Sequence, residues 1–183
     1  MKFILLATYG SGTNLLRCFL NSHPDIYLHK ELFCLAAGFN NHLNNPLPRL
    51  EQAFSYAKPI VGVDIKYDQL DEAIIEYASK EQVAIIHLKR DPLRTIWYRR
   101  QQVTSNYLNQ YLRSIEQYRA HIADMFSSHR WLDISYEDMT RGQEIRQLPS
   151  DVTQRLLTFL GADDYPLSLH SHHSVKPLKV RSI

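Results

Sequence analysis

The feature that most constrains the fold is an apolar run that leads through a glycine-containing turn into a helical pattern. Residues 3–8 form the apolar run, and the turn that follows is Tyr9-Gly10-Ser11-Gly12-Thr13-Asn14. Leucine and phenylalanine then recur at helical spacing as far as residue 20. A strand, a glycine loop and a helix N-terminus in this order bring backbone N–H groups together at the positive end of the helix dipole. The pattern therefore predicts a site for an anionic ligand such as a nucleotide.

Length, composition and charge are those of one globular domain, which we take as residues 1–183. Hydrophobic residues make up 44% and charged residues 22% of the 183 positions, and the net charge is +2. So small a charge argues against nucleic acid or an anionic membrane as a partner. No segment is long and apolar enough to span a membrane, and the run near the N-terminus is too short for a signal peptide. We therefore expect a cytoplasmic protein, and the sequence gives no indication of oligomeric state.

Strand-like and helical patterns alternate along the chain. Four apolar runs are typical of buried parallel strands, namely residues 3–8, 60–65, 83–89 and 131–135. Helical patterns cover residues 14–22, 70–79, 93–128 (with a break near residue 105) and 152–160. Ser150 is a candidate cap for the last helix, Gly161 a candidate stop, and the segment 40–49 a loop. The alternation predicts a three-layer α/β fold, an open sheet of mainly parallel strands flanked by helices.

Candidate binding residues follow the predicted strands directly. In open α/β sheets, ligands bind beyond the carboxyl ends of the strands. Lys66 follows the second strand, Arg90 the third and Tyr136 the fourth, while the glycine turn follows the first. Each residue alone is compatible with a solvated side chain, but together they place anion-binding groups and an aromatic ring on one edge. Asp64 can pair with Lys66 only if strand alternation brings both side chains to one face.

The segment after the third strand combines helix-start signals with positive charge. Asp91 is suited to an N-cap and Pro92 to the first helical position. Lys89, Arg90 and Arg94 surround this helix start, where the dipole disfavours cations unless an anion is nearby. A plain helix start with solvated arginines is the alternative, and we favour a ligand-binding role for Arg90.

Other motifs are excluded or left open. The turn lacks the lysine of a Walker loop and the third glycine of a dinucleotide fingerprint, so a plain strand-to-helix turn remains the alternative. Glu31, which follows His23-Pro24 by a few residues, can be a general base or the first acid of the next helix. The histidines near the C-terminus lack carboxylate or cysteine partners and indicate a surface loop, so no metal site is expected. They are His170, His172 and His173.

Three segments resemble the PAPS-dependent sulfotransferases, in the order found in that family and over nearly the whole chain. Residues 9–17 with 21–26 resemble the 5′-phosphosulfate loop and the helix after it. Residues 87–94, His-Leu-Lys-Arg-Asp-Pro-Leu-Arg, are similar to the 3′-phosphate motif. Residues 135–139, Ser-Tyr-Glu-Asp-Met, are similar to the segment whose tyrosine lies near the adenine. Residues 159–161 and 175–178 also fit bacterial members.

The resemblance implies a P-loop-like sulfotransferase fold, PAPS as the sulfuryl donor, PAP as the product and no metal. The implied cofactor-binding residues are Gly10, Ser11, Gly12, Thr13, Asn14, Arg90, Tyr98 and Tyr136. The tyrosylprotein branch implies Glu31 as the catalytic base and Lys66 as a catalytic lysine. Two positions depart from the family pattern: Gly10 stands where Lys or Arg is usual, and Tyr98 where serine is usual.

Three functions remain open at this level. The leading hypothesis is sulfuryl transfer from PAPS to a hydroxyl of an unidentified acceptor, which the sequence does not define as carbohydrate, lipid, peptide or other small molecule. The alternative is a degenerate protein that binds PAP or PAPS without catalysis, which Gly10 and Tyr98 favour. A nucleoside or small-molecule kinase would also use the loop, but it needs a lysine and a Mg²⁺ site that the sequence does not reveal.

Overall fold

A five-stranded parallel sheet forms the centre of the molecule. The computed structural model describes residues 1–33, 45–98, 105–141 and 146–169, apart from the side chains of 97–98 and 105–109. The strands are β1 (Lys2–Ala7), β2 (Ile26–His29), β3 (Ile60–Lys66), β4 (Ala84–Lys89) and β5 (Trp131–Ser135). They lie in the order β2-β3-β1-β4-β5, and all pairings are parallel.

Helices cover both faces of the sheet. They are α1 (Thr13–Leu20), α2 (Leu47–Phe54), α3 (Glu72–Lys80), α4 (Pro92–Tyr98), α5 (Ser105–Met125), α6 (Tyr136–Met139) and α7 (Ser150–Leu160), with a 3₁₀ turn at Tyr67–Gln69. Side chains of β1 alternate between two cores, because successive residues of a strand point to opposite faces. Phe3 and Leu5 pack with α1 and α7, whereas Ile4 and Leu6 pack with α2, α3 and α5. The predicted three-layer α/β fold is confirmed.

The strand register aligns the ends that carry the candidate residues. Ala7 at the end of β1 lies opposite Lys66 of β3 and Leu88 of β4, and Lys89 lies opposite Ser135 of β5. The segments that follow β1, β3, β4 and β5 therefore share one edge of the sheet, as predicted. Among the described residues, no helix combines the length and apolar character needed to cross a bilayer.

Several local predictions were wrong. The edge strand β2 was not predicted, and α2 begins at Leu47 inside the segment expected to be a loop, of which 40–44 lies outside the described residues. Ser150 is the first residue of α7 rather than its cap, a position held by Pro149 without a side-chain hydrogen bond. Gly161 does end α7, with φ 64° in the left-handed region. The expected break in the third helical region is consistent with α4 ending at Tyr98 and α5 beginning at Ser105.

Candidate functional site

The loop between β1 and α1 is shaped by two glycines in the left-handed region. Gly10 has φ 81° and Gly12 has φ 94°, where a side chain would be strained. Gly12 is the N-cap of α1, and its carbonyl accepts hydrogen bonds from the amides of Leu15 and Leu16 without any side-chain cap. The buried Ser11 hydroxyl bonds to the Thr8 hydroxyl at 2.6 Å, which ties the loop to the end of β1. No side chain caps the first amides of α1, which is the arrangement that an anion-binding helix start requires.

Lys66 reaches the start of α1 from the end of β3. Its Nζ donates to Thr13 Oγ1 at 3.0 Å and to Asp64 Oδ1 at 2.5 Å, and both members of the ion pair are almost fully buried. The Thr13 hydroxyl is also hydrogen-bonded to Asp64. Burial raises the pKa of Asp64, and the ammonium of Lys66 partly opposes that rise. The condition stated for pairing is met, because Asp64 and Lys66 lie on one face of β3, and the ammonium also contacts Thr13 at the end of the loop.

Arg90 and Tyr136 cover the loop from the side of β4 and β5. Arg90 donates from a terminal guanidinium nitrogen to the Gly10 carbonyl at 2.7 Å and is only 7% exposed. Its Cζ lies 4.1 Å from the centroid of the Tyr136 ring, a cation–π stack. The same ring lies against Gly12, where an added Cβ would come within 2.3 Å of Tyr136 Cδ2. The predicted residues Gly10, Gly12, Arg90 and Tyr136 therefore form one contact cluster.

The helix start after β4 has the predicted cap. The Asp91 carboxylate accepts from the amide of Leu93 at 2.8 Å, and α4 begins at Pro92. Arg119 of α5 donates to the Arg90 carbonyl at 2.9 Å and so fixes the backbone beside the cap. Arg94, one turn further, is exposed. The cap leaves the buried guanidinium of Arg90 directed at the loop.

Glu31 joins the site through a residue that the sequence did not single out. Gln69 Nε2 donates to Glu31 Oε1 at 3.0 Å and to the Tyr9 hydroxyl at 3.1 Å, and Gln69 Oε1 accepts from the Lys66 amide at 2.9 Å. Burial, followed by the nearby carboxylates of Asp68 and Glu31, raises the pKa of Tyr9 to about 12. Tyr9 and Gln69 were missed. A glutamine three residues after a strand-ending residue matches the spacing of a capping box, which is the signal that could have found Gln69.

A second chain of polar side chains begins at Tyr67, the residue after Lys66. The Tyr67 hydroxyl is hydrogen-bonded to His87 Nε2, and His87 Nδ1 lies 2.8 Å from Asp133 Oδ1. Lys89 pairs with the other oxygen of Asp133 at 2.8 Å. Burial lowers the pKa of His87 to about 4, so the imidazole is neutral at physiological pH. This chain connects the turn after Lys66 to β4 and β5.

The remaining predicted residues make no described contact with the loop or lie outside the described residues. Asn14 is exposed on the first turn of α1. The backbone of Tyr98 ends α4, but its side chain lies outside the described residues, as do His170, His172 and His173. In the described part of the chain, no group of three or more His, Cys, Asp or Glu residues is arranged to hold a metal ion.

Comparison with known proteins gives structural relatives only. No protein-family profile matches the sequence, and no curated protein does. The mouse sulfotransferase SULT7A1, solved in complex with PAP, superposes with a TM-score of 0.59 at 18% identity, over 90% of this chain and 60% of the mouse protein. A sulfotransferase from Alicyclobacillus acidocaldarius gives 0.60 at 18% identity, over 96% of this chain and 86% of that protein.

A kinase shares the same framework. Shikimate kinase from Bacteroides thetaiotaomicron superposes with a TM-score of 0.53 at 10% identity, over 88% of this chain and 98% of the kinase. This chain spans less than two thirds of the mouse sulfotransferase. At these identities the likeness defines the fold, and the chain has the P-loop-like α/β fold of the sulfotransferases, as its sequence motifs implied.

Proposed function

We propose that this protein is a sulfotransferase that binds PAPS at the β1–α1 loop and transfers its sulfuryl group to a hydroxyl of an acceptor. The observation that carries the proposal is the convergence of two buried cations on the loop from the strands on either side of β1. Lys66 of β3 contacts Thr13, and Arg90, which follows β4, contacts Gly10. The fold shared with a PAP-bound sulfotransferase supports this proposal. A cytoplasmic location is part of the same proposal.

The donor set suits a nucleotide with anionic groups at two places. The open N-terminus of α1 and the ammonium of Lys66 would hold the 5′-phosphosulfate end. The guanidinium of Arg90 would hold the 3′-phosphate, and the ring of Tyr136 would lie beside the adenine. Arg90 and Tyr136 contact the loop at Gly10 and Gly12, and Lys66 contacts it at Thr13, so a ligand bound at the loop would lie near all three side chains.

The proposed chemistry divides between two residues. PAPS supplies a sulfuryl group already bonded to a phosphate leaving group. The acceptor oxygen forms the new S–O bond as the bond to the phosphate breaks, and Glu31 takes the hydroxyl proton. Lys66 stabilises the charge that develops on the departing oxygen, and losing such a donor typically costs about 100- to 1000-fold in rate. Carbohydrates, lipids, peptides and other small molecules that carry a hydroxyl group are all compatible with this chemistry.

The second candidate is a protein that binds PAP or PAPS without transfer, because Gly10 stands where the family usually has a cation. A kinase is the third candidate, although the loop carries no lysine. Calorimetry separates the nucleotide classes. We expect PAP to bind at least about 10-fold more tightly than AMP, which lacks the 3′-phosphate, and Arg90→Lys to remove most of that preference. Tighter binding of Mg²⁺-ATP than of PAP would overturn the proposal in favour of a kinase.

Transfer is tested with ³⁵S-labelled PAPS and a panel of hydroxyl acceptors. Because removing Lys66 alone would leave Asp64 buried without its cation, the informative variant is Asp64→Asn/Lys66→Met. We expect its turnover to fall by about 100-fold or more while PAP affinity changes by less than about 10-fold. The matched control is Lys80→Met at an exposed position of α3, which should keep full turnover. Wild-type binding of PAP with no transfer to any acceptor or to water would support the second candidate instead.

A further inference from the structure

The side-chain amide of Gln69 is committed to three partners in the candidate site. Its Oε1 accepts from the Lys66 amide at 2.9 Å, and its Nε2 donates to Glu31 Oε1 at 3.0 Å and to the Tyr9 hydroxyl at 3.1 Å. The residue is only 4% exposed. A reversed amide would turn Nε2 towards an N–H group and Oε1 towards a carboxylate, which loses these bonds. The orientation of Gln69 is therefore fixed by its surroundings.

Gln69 connects two residues that come from different parts of the sheet. Glu31 follows the edge strand β2, and Lys66 ends β3, so neither belongs to the element that holds the other. Gln69 lies 38 positions after Glu31 and three positions after Lys66 in the chain. One buried side chain thus spans the distance between the candidate base and the backbone of the candidate lysine.

The chemistry of an amide suits this position. A neutral N–H donor holds a carboxylate in place without neutralising it, as an ammonium or guanidinium would tend to do. The Tyr9 hydroxyl is hydrogen-bonded to Glu31 as well, so Tyr9 and Gln69 together fix the direction of the carboxylate. A carboxylate oxygen carries more than one lone pair, which leaves acceptor capacity for the proton of an incoming hydroxyl.

We propose that Gln69 is a positioning residue for the transfer reaction, one that sets Glu31 against Lys66 while Tyr9 supports the same carboxylate. This inference rests on the proposed sulfotransferase function. It assigns to the 3₁₀ turn after β3 a role in turnover rather than in direct contacts to the nucleotide. Gln69 bonds to Glu31, to Tyr9 and to the backbone amide of Lys66, and none of its bonds goes to the Lys66 ammonium, to Arg90 or to Tyr136.

The test uses acceptor-independent hydrolysis of ³⁵S-labelled PAPS, in which water replaces the hydroxyl acceptor. Gln69→Leu should lower kcat by about 10- to 100-fold, the usual cost of losing a residue that orients a reacting group. KM for PAPS and the Kd for PAP should stay within about two-fold, because the nucleotide contacts are untouched. The matched control is Gln154→Leu at an exposed position of α7, with no loss expected.

Gln69→Glu distinguishes positioning from general structural support. At about pH 8 the introduced carboxylate faces Glu31 and repels it, so kcat should fall about as far as in Gln69→Leu. As the pH is lowered towards about 6, the introduced carboxyl takes a proton, becomes a donor and should restore kcat relative to wild type. A packing defect that does not depend on this charge would not recover in this way, and a thermal unfolding transition that stays the same at both pH values excludes a defect of the fold caused by the charge itself. Tyr9→Phe removes only one of the two donors and should cost less than Gln69→Leu.

The outcomes are separable from those that test the function itself. Wild-type protein that neither binds PAP nor releases sulfate contradicts the proposed function. Wild-type protein that is active, with Gln69→Leu and Gln69→Glu hydrolysing PAPS at the wild-type rate, contradicts this inference and leaves the proposed function intact. If Gln69→Leu does not fold, as judged by its thermal unfolding transition, the pH recovery of Gln69→Glu alone decides.

Discussion

Removing the cation from the buried ion pair at the end of β3 should destabilise the protein by an amount that depends on pH. Asp64 and Lys66 lie 2.5 Å apart, and their side chains are 3% and 4% exposed. Lys66→Met keeps an unbranched side chain of similar length but removes the ammonium. Asp64 is then left in the interior with the hydroxyl of Thr13 as a hydrogen-bonding partner but without its cation. The substitution therefore tests the charge of Lys66 more than its volume.

The size of the effect depends on whether Asp64 stays ionised or takes a proton in the folded variant. Leaving a buried charge without its partner typically costs about 3–5 kcal/mol. Asp64 avoids this cost if it takes a proton. Protonating a carboxyl of ordinary pKa costs about 4 kcal/mol at pH 7 and about 1.5 kcal/mol at pH 5. We therefore expect Lys66→Met to lose about 3–4 kcal/mol at pH 7 and about half of that or less at pH 5.

The sign of the pH dependence is set by where the proton resides. Burial already raises the pKa of Asp64, and without Lys66 the pKa rises further. The folded variant then keeps a proton that the unfolded chain releases, so its free energy of unfolding falls as the pH rises above about 4. The slope approaches about 1.4 kcal/mol per pH unit until the folded-state pKa is reached. Asp64→Asn/Lys66→Met has no carboxyl at position 64 and should lack this slope.

Urea unfolding followed by tryptophan fluorescence, between about pH 5 and about pH 8, measures all of these quantities. The double variant should lie within about 1–1.5 kcal/mol of wild type, because replacing both partners of a buried pair is often nearly neutral. Lys80→Met, at an exposed position of α3, should change stability by less than about 0.5 kcal/mol. A Lys66→Met protein that loses less than about 1 kcal/mol at pH 7, with no additional pH slope, would refute the buried pair.

Two further predictions concern the loop and the polar chain behind it. Gly12→Ala places a Cβ 2.3 Å from a ring carbon of Tyr136 at a residue with φ 94°, so calorimetry should show PAP affinity reduced at least about 10-fold. Gly161→Ala is the control, because Gly161 also has a positive φ but an added Cβ there meets nothing within 4 Å. It should cost about 1 kcal/mol in stability through backbone strain and leave PAP affinity unchanged. If both variants changed PAP affinity equally, the close contact between Gly12 and Tyr136 would be contradicted. Burial lowers the pKa of His87 to about 4. Between about pH 6.5 and pH 4, the unfolded chain therefore binds a proton on this imidazole and the folded chain does not. Stability should therefore fall by about 3 kcal/mol from pH 6.5 to pH 4, and His87→Gln should remove this dependence in urea titrations; an unchanged slope would show that other groups cause it.

The loop and the edge of the sheet could be predicted because their signals are local in the sequence. An apolar run followed by glycines and a helical pattern is contained within about twenty residues, and the same holds for the cap at Asp91. Asp64 and Lys66 are two positions apart, so the alternation of a strand alone places both side chains on one face. A parallel sheet then brings the strand ends together whatever the exact order of the strands.

The edge strand and the second helix escaped prediction because their signals are short or contradictory. β2 has only four residues, Ile26–His29, and half of them are partly exposed, so the pattern is too brief to be distinguished from a loop. It becomes a strand through its pairing with β3. Prolines near the start of α2 indicated a loop, although proline also fits the first turn of a helix.

The contacts that complete the site depend on strand order, which the sequence left open. The bond from Gln69 to Tyr9 spans 60 positions, and the bond from Arg90 to Gly10 spans 80. Such contacts form because β3 and β4 both flank β1. The sequence therefore predicted which residues lie at the strand ends, but not which residues they contact.

The position of Gly10 explains why its loop can lack the cation that is usual there in the sulfotransferases that the sequence resembles. Gly10 has φ 81°, so any residue with a side chain would cost about 1–2 kcal/mol in backbone strain. The carbonyl of Gly10 also accepts from Arg90, a bond that depends on this backbone conformation. In this chain the positive charge reaches the loop from Lys66 and Arg90, on the two neighbouring strands. A cation at Gly10 would lie beside the guanidinium of Arg90, which its own carbonyl already binds, and like charges repel.

Gly10→Lys should therefore fail to raise the proposed activity, although it introduces the residue type that is usual in the sulfotransferases that the sequence resembles. We expect a loss of about 1–2 kcal/mol in stability and no gain in the rate of PAPS hydrolysis. Gly10→Ala, which adds strain without charge, separates the two causes. If Gly10→Lys hydrolysed PAPS several-fold faster than both wild type and Gly10→Ala, the loop would lack a cation that Lys66 does not provide. If Gly10→Lys hydrolyses PAPS no faster than Gly10→Ala, a cation at position 10 contributes nothing to the rate. The charge that the reaction needs is then supplied from the flanking strands rather than from the loop.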